Sequence, residues 1–177
     1  MPHLRPIHRV IVGVSVILVA LVAIACGKRI CGFSVSHVDR GTCASKYPVA
    51  AHPPLVGTYP GDTKSGAGYF YDDVLEYRVW MHPERGARPL AGDEDYFAAF
   101  ACFESAAAFS RETKGAETPL VLVQQREYIN EPEPGEFVWV HGDRVTEWQV
   151  EWLDESHGRR PDSIPRFLEA HRVKEAP

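Results

Sequence analysis

From Thr146 to Trp152 the chain alternates without a break: Thr146, Trp148, Val150 and Trp152 face one way, Glu147, Gln149 and Glu151 the other. A period of two is what a half-buried β-strand requires, because successive side chains leave opposite faces of a sheet. A slip of one residue would bury the carboxylates and expose the indoles, so the segment sets its own register. Two tryptophans on one side need a layer to pack against, which commits the chain to a sheet with a covered face. In a domain of this size they read as core rather than as a ligand platform.

The other elements follow from similar patterns. Leu75, Tyr77, Val79 and Met81 alternate with Glu76, Arg78 and Trp80, a second strand that His82-Pro83 ends. Leu120-Val121-Leu122-Val123 is continuously apolar after Pro119 and predicts a central strand covered on both faces, extended by Glu127 to Ile129. Phe137 to Val140 read as a further strand, Gly142-Asp143 as a hairpin turn, and Arg144 to Leu153 as the return strand. Between the strands, Asp93-Glu94-Asp95 suits a helix N-terminus, running to about Lys114 with Gly115 as its stop. A two-piece version, extended at Tyr96-Phe97 with a helix only from about Phe103, stays open. Asp162-Ser163, Pro165 and Phe167-Leu168 signal a last helix. The sum is an α+β fold: a single small domain over residues 69–172, with a mostly antiparallel sheet of about four strands, two helices on one face, and a short tail at 173–177.

Ahead of the domain stand Arg5 and Arg9, an apolar run from Val10 to Ala25, and Ala25-Cys26-Gly27. A basic start, an apolar core and small residues before a cleavage point are what export requires, so residues 1–26 read as an apolar helix serving as leader or membrane anchor. Ala23-Ile24-Ala25-Cys26 resembles a bacterial lipobox, with Ala23 where Leu is usual, and that resemblance implies lipidation of Cys26. An uncleaved anchor flanked by Lys28 and Arg29 is a second reading. The third is a cytoplasmic product whose translation starts downstream, near Gly57. Pro48, Pro53, Pro54 and Pro60 make residues 27–68 read as a flexible tether.

Composition excludes one function class. Setting aside the two basic residues of the first 26 leaves 17 of the 19 Lys and Arg against 24 acidic residues, and no basic block. Nucleic acid is therefore not an expected partner, since phosphate neutralisation supplies most of that affinity. The expected partner is a protein or small molecule, plus the membrane through the N-terminal segment. Cys26, Cys31, Cys43 and Cys102 form no CxxC pair, and no metal site is expected. In an oxidising compartment Cys31 and Cys43 would pair across a short loop, leaving Cys102 a free thiol.

Candidates for chemistry are few. Thr63-Lys64-Ser65-Gly66-Ala67-Gly68 ends in Gly-x-Gly, but Thr63 stands where a P-loop needs glycine, so the stretch reads as a hinge. Glu147 and Glu151 could share a sheet face with His141 as a carboxylate–imidazole base pair, against the plainer reading of a solvated strand face. Tyr77, Trp80 and His82 end a strand where a ligand could meet an aromatic wall. No cofactor is implied by these residues.

Several segments together resemble a known family: Tyr77-Arg78-Val79-Trp80-Met81-His82-Pro83, Pro119-Leu120-Val121-Leu122-Val123, Asn130-Glu131-Pro132-Glu133-Pro134-Gly135, Thr146 to Leu153, and Arg160-Pro161-Asp162-Ser163-Ile164-Pro165. They are similar to a family of small bacterial proteins, sometimes labelled GCN5-related N-acetyltransferases, over about Tyr69 to His171. That label implies acetyl-CoA as cofactor and an amine as acceptor. No position in the matching region carries the family's acetyl-CoA loop, so no catalytic residue transfers. Two readings result: a non-catalytic binding domain with a membrane tether, and a small acetyltransferase using Glu147 or Glu151 as base.

Overall fold

The computed structural model describes residues 34–37, 43, 46–65, 68–90 and 92–172, with backbone alone at 34–37, 64–65 and 157. The leader, Cys26, Cys31 and the 173–177 tail lie outside the described residues. Four antiparallel strands form the centre of the domain: β4 (Asp73–Met81), β5 (Tyr96–Phe100), β6 (Leu120–Asn130) and β7 (Val138–Gln149). Two short strands, β1 (Ser34–His37) and β2 (Lys64–Ser65), add parallel edges, giving the order β1-β5-β4-β6-β7-β2. A separate parallel ribbon joins β3 (Phe70–Tyr71) to β8 (His157–Gly158). The helices are α1 (Phe103–Glu112), α2 (Trp152–Glu155) and α3 (Ser163–Ala170). This is the α+β architecture that the periodicities predict.

The first face of the sheet carries Tyr77, Val79 and Met81 of β4, Tyr96, Ala98 and Phe100 of β5, Val121 and Val123 of β6, and Trp148 of β7. Phe103, Ala106 and Phe109 of α1 close over it. Trp148 is 1 % exposed and Trp152 packs against the same cluster, so the indoles are core. Val121, Leu122 and Val123 are fully buried in β6, as a continuous apolar run in mid-sheet requires.

Several local expectations change. The chain from 93 to 114 is the two-piece version: β5 is extended because Phe97 and Ala99 are buried on the second face while Tyr96, Ala98 and Phe100 are buried on the first. A helix from Asp93 could not present apolar side chains to two opposed layers. No hairpin forms at Gly142-Asp143; β7 runs through it, and the turn to β6 lies at Asn130 to Val138. There Glu131 accepts a bond from the Gly135 amide at 2.8 Å and from the Tyr69 hydroxyl at 2.5 Å. Those bonds hold the Glu131 carboxyl below the usual range and push the Tyr69 phenol up to about 12. The return strand ends at Gln149, where Val150 and Glu151 turn into α2.

The proline-rich stretch is not a loose tether over its described part. Tyr47 packs into the first-face core, and Ala50 and Val56 into the second. The Ala50 amide donates to Ala101 and the Ala51 amide to Val74, each at 2.8 Å, so the segment clasps the end of the sheet and crosses from face to face. Gly68 likewise sits at a close approach, where a Cβ would stand 2.5 Å from Gln125 Nε2 and 2.8 Å from Trp148 Cζ2. Cys102 is not a free thiol. It is disulfide-bonded to Cys43, 59 residues away, with Cα atoms 6.1 Å apart, which replaces the expected Cys31–Cys43 pair. The bond lies where the clasp meets the start of α1, beside the Lys46 amide that donates to Glu104.

Closing a loop of that length stabilises by about 4 kcal/mol in the chain-entropy account. Peptide mapping of unreduced protein is expected to recover Cys43 linked to Cys102, and Cys102→Ser to lower urea stability by about 2–5 kcal/mol. A Cys31–Cys43 peptide would contradict the pairing.

Candidate functional site

The second sheet face is where the sequence placed its carboxylates, and residues 47–61 cover much of it. After the β-bulge between Val74 and Glu76, β4 turns Glu76, Arg78 and Trp80 toward this face, and β7 supplies Glu147. The register pairs Glu147 with Leu122 of β6, which in turn faces Glu76 of β4, so the two glutamates flank one strand. Glu76 and Arg78 have fully buried side chains, and that of Glu147 is 16 % exposed. Arg78 Nε donates to Glu76 Oε1 at 2.7 Å, Nη1 to Glu147 Oε1 at 2.9 Å, and Nη2 to the Pro60 carbonyl at 2.8 Å. The guanidinium lies over the Phe97 ring, 4.3 Å from its centroid.

The carboxylates have further donors. Gly57 N–H donates to Glu76 Oε2 at 2.6 Å, and Trp80 Nε1–H straddles both oxygens of Glu147 at 3.3 Å. Two carboxylates around one guanidinium leave a formal charge of −1. Burial, followed by the charges of Glu76 and Asp73, raises the Tyr59 phenol above its ordinary value. The arrangement binds a backbone segment: Gly57 and Pro60 belong to the clasp, and their amide and carbonyl are what the ion group holds.

The structure disperses the sequence candidates. Glu147 is not a solvated residue and does not lie beside His141; it is paired with Arg78 and Trp80. His141 is exposed and pairs with Glu127 at 3.0 Å, six residues along β7 from Glu147. Glu151 is exposed at the start of α2, beyond the end of β7. Tyr77 and Trp80 occupy opposite faces, so they share no aromatic wall. Tyr77 is buried in the first face with its hydroxyl on the Pro48 carbonyl at 2.5 Å, and burial drives its phenol well above the usual range.

His82 forms a second, separate group. It is 8 % exposed at the end of β4. Asp95 Oδ1 lies 3.0 Å and Glu84 Oε1 3.6 Å from its Nδ1, and Glu117 Oε1 lies 2.9 Å from its Nε2. Among the described residues, His82, Glu84 and Asp95 are one group of potential metal ligands whose atoms lie within 4.8 Å of one another. Sequence reasoning picked His82 and missed its neighbours; the signal was a His-x-Glu at a strand end and an aspartate immediately before the next strand. It also missed Arg78, because alternation assigns that position to solvent unless something covers the face.

No protein-family model, curated protein or solved structure matches this chain.

Removing one partner from a buried ion group strands the other, whereas removing both is much milder. Arg78→Met is expected to cost about 3–5 kcal/mol in urea denaturation, and Glu76→Gln/Arg78→Met/Glu147→Gln together no more than about 2 kcal/mol. A near-neutral Arg78→Met would show that the guanidinium does not hold the clasp.

Proposed function

We propose that this chain is an exported, non-catalytic binding domain, held at a membrane by its N-terminal segment, that engages a protein or small molecule through its surface. The observation that carries the reading is the state of Glu147. A general base must be within reach of the substrate proton that it takes. Both Glu147 oxygens accept from Trp80, one also accepts from Arg78, and the clasp covers the group. The other two candidates, His141 and Glu151, stand apart from it and from each other.

The competing acetyltransferase reading needs a gap between adjacent parallel strands to admit the cofactor. The parallel pairs among the described strands are short edge pairs, and β1 keeps continuous register with β5 over four residues. Export is supported by the Cys43–Cys102 disulfide, since such bonds persist in oxidising compartments and are rare in the cytosol. Among the described residues no helix is long and apolar enough to cross a membrane, so the tether rests on the Val10 to Ala25 run and on Cys26.

A ligand bound only by the native state raises the melting temperature by mass action. Millimolar acetyl-CoA is expected to leave the thermal transition of the full-length chain unmoved; a saturable rise would favour the enzyme. Mass spectrometry of protein from its native host is expected to find an acylated Cys26 peptide. A terminus near Gly57 would overturn the tether and remove Cys43 with it.

A further inference from the structure

We infer that His82, Glu84 and Asp95 form a binding site for a divalent transition-metal ion, with one coordination position open to the surface. This stands independently of the reading above, because it rests on a different end of the sheet. Two atoms bound to one zinc ion at about 2.0–2.1 Å and a tetrahedral angle lie about 3.3 Å apart. The Nδ1 spacings to Asp95 and Glu84, 3.0 and 3.6 Å, bracket that separation.

The second observation is the imidazole itself. His82 is more than nine-tenths buried, yet neither ring nitrogen makes a hydrogen bond, although carboxylate oxygens stand within 3.0 Å of each. Buried polar atoms are normally satisfied. At Nδ1 the Asp95 oxygen is close without making a hydrogen bond, as expected of two ligands that share one ion. An imidazole with two carboxylates suits zinc and its neighbours better than calcium or magnesium, which prefer all-oxygen shells.

The surroundings fit the same reading. Glu117 Oε1 stands 2.9 Å from Nε2, on the side of the ring where a metal-bound histidine characteristically has an outer carboxylate. Arg85 Nη1 holds that carboxylate at 2.8 Å and balances its charge. Glu84 and Asp95 neutralise the ion. Arg85 Nε also lies 3.3 Å from Glu84 Oε1, so metal binding draws Glu84 away from the guanidinium.

Backbone pairing presets the group. Met81 pairs with Tyr96, which places His82 and Asp95 next to each other across the strand ends. The His82 amide donates to Gly115 at 2.9 Å and the Glu117 amide to Trp80 at 2.8 Å, fixing the third side. The exposed Glu84 and Asp95 side chains, 59 % and 46 % accessible, close on the ion from outside and leave its fourth position to water or to a partner's donor.

The test is titration of the full-length, tag-free chain with Zn2+, followed by calorimetry and by histidine ring 1H–15N correlation spectra. The expected result is one equivalent bound, with the Nδ1 resonance of His82 displaced among the eight histidines. Asp95→Asn and Glu84→Gln alter exposed groups, and each is expected to weaken binding at least tenfold while the far-ultraviolet spectrum stays native. His82→Gln is expected to abolish the bound equivalent. No binding, or binding that displaces other histidines and is indifferent to Asp95→Asn and Glu84→Gln, would overturn the assignment.

Discussion

Arg78 is the interaction on which the second half of this fold depends. Its three nitrogens reach a carboxylate on its own strand, a carboxylate on β7 and a carbonyl of the clasp. A guanidinium does this where an ammonium could not, because its donors form a rigid planar fork and its flat face stacks on an aromatic ring, here Phe97. A buried ion group of this kind is weak evidence for net stability, since desolvation offsets much of the Coulomb gain. Its contribution is specificity: it dictates which backbone segment covers the second face, and in which position.

That cover changes what the domain is. An antiparallel sheet commonly packs one face and wets the other. Here α1 closes the first face, while residues 47–61 close much of the second through Ala50, Val56 and the amide of Gly57. The Cys43–Cys102 disulfide ties the start of the clasp to the start of α1, so the covers of the two faces are joined covalently. Glu76 and Glu147 are thereby engaged by the clasp and its arginine, while His82, outside the clasp, keeps both ring nitrogens without a hydrogen bond.

Much of the sheet was legible because its signals are local. Leu120 to Val123 announced a strand with two covered faces, and Thr146, Trp148 and Val150 announced the buried side of β7. At 93–114 the structure takes the two-piece alternative, and at 144–153 the strand stops at Gln149 with no turn at Gly142-Asp143, because tertiary pairing overrides the acidic run before Tyr96 and the Gly-Asp signal. The clasp and the Arg78 group were hidden for a deeper reason. Four prolines remove periodicity, and nothing in a strand's alternation reveals whether its polar face will meet water or a backbone segment sixteen or more residues away. The disulfide was equally hidden, since spacing ranks short loops first while the fold brings Cys102 to Cys43. His82 was visible as a residue, but Glu84, Asp95 and Glu117 join it only through the pairing of β4 with β5 and the return of the chain at Ala116.

The charged side chains of the second face, Glu76, Arg78 and Glu147, are locked by packing. Hydrogen exchange at the Arg78 Nε–H, followed by 15N-resolved spectroscopy at neutral pH, tests it most directly. A proton that exchanges only through global unfolding, at the rate of the slowest β6 amides, is the result this account predicts. Exchange as fast as that of the exposed Arg166 would mean that the clasp opens in the native state and that Glu147 is available for chemistry.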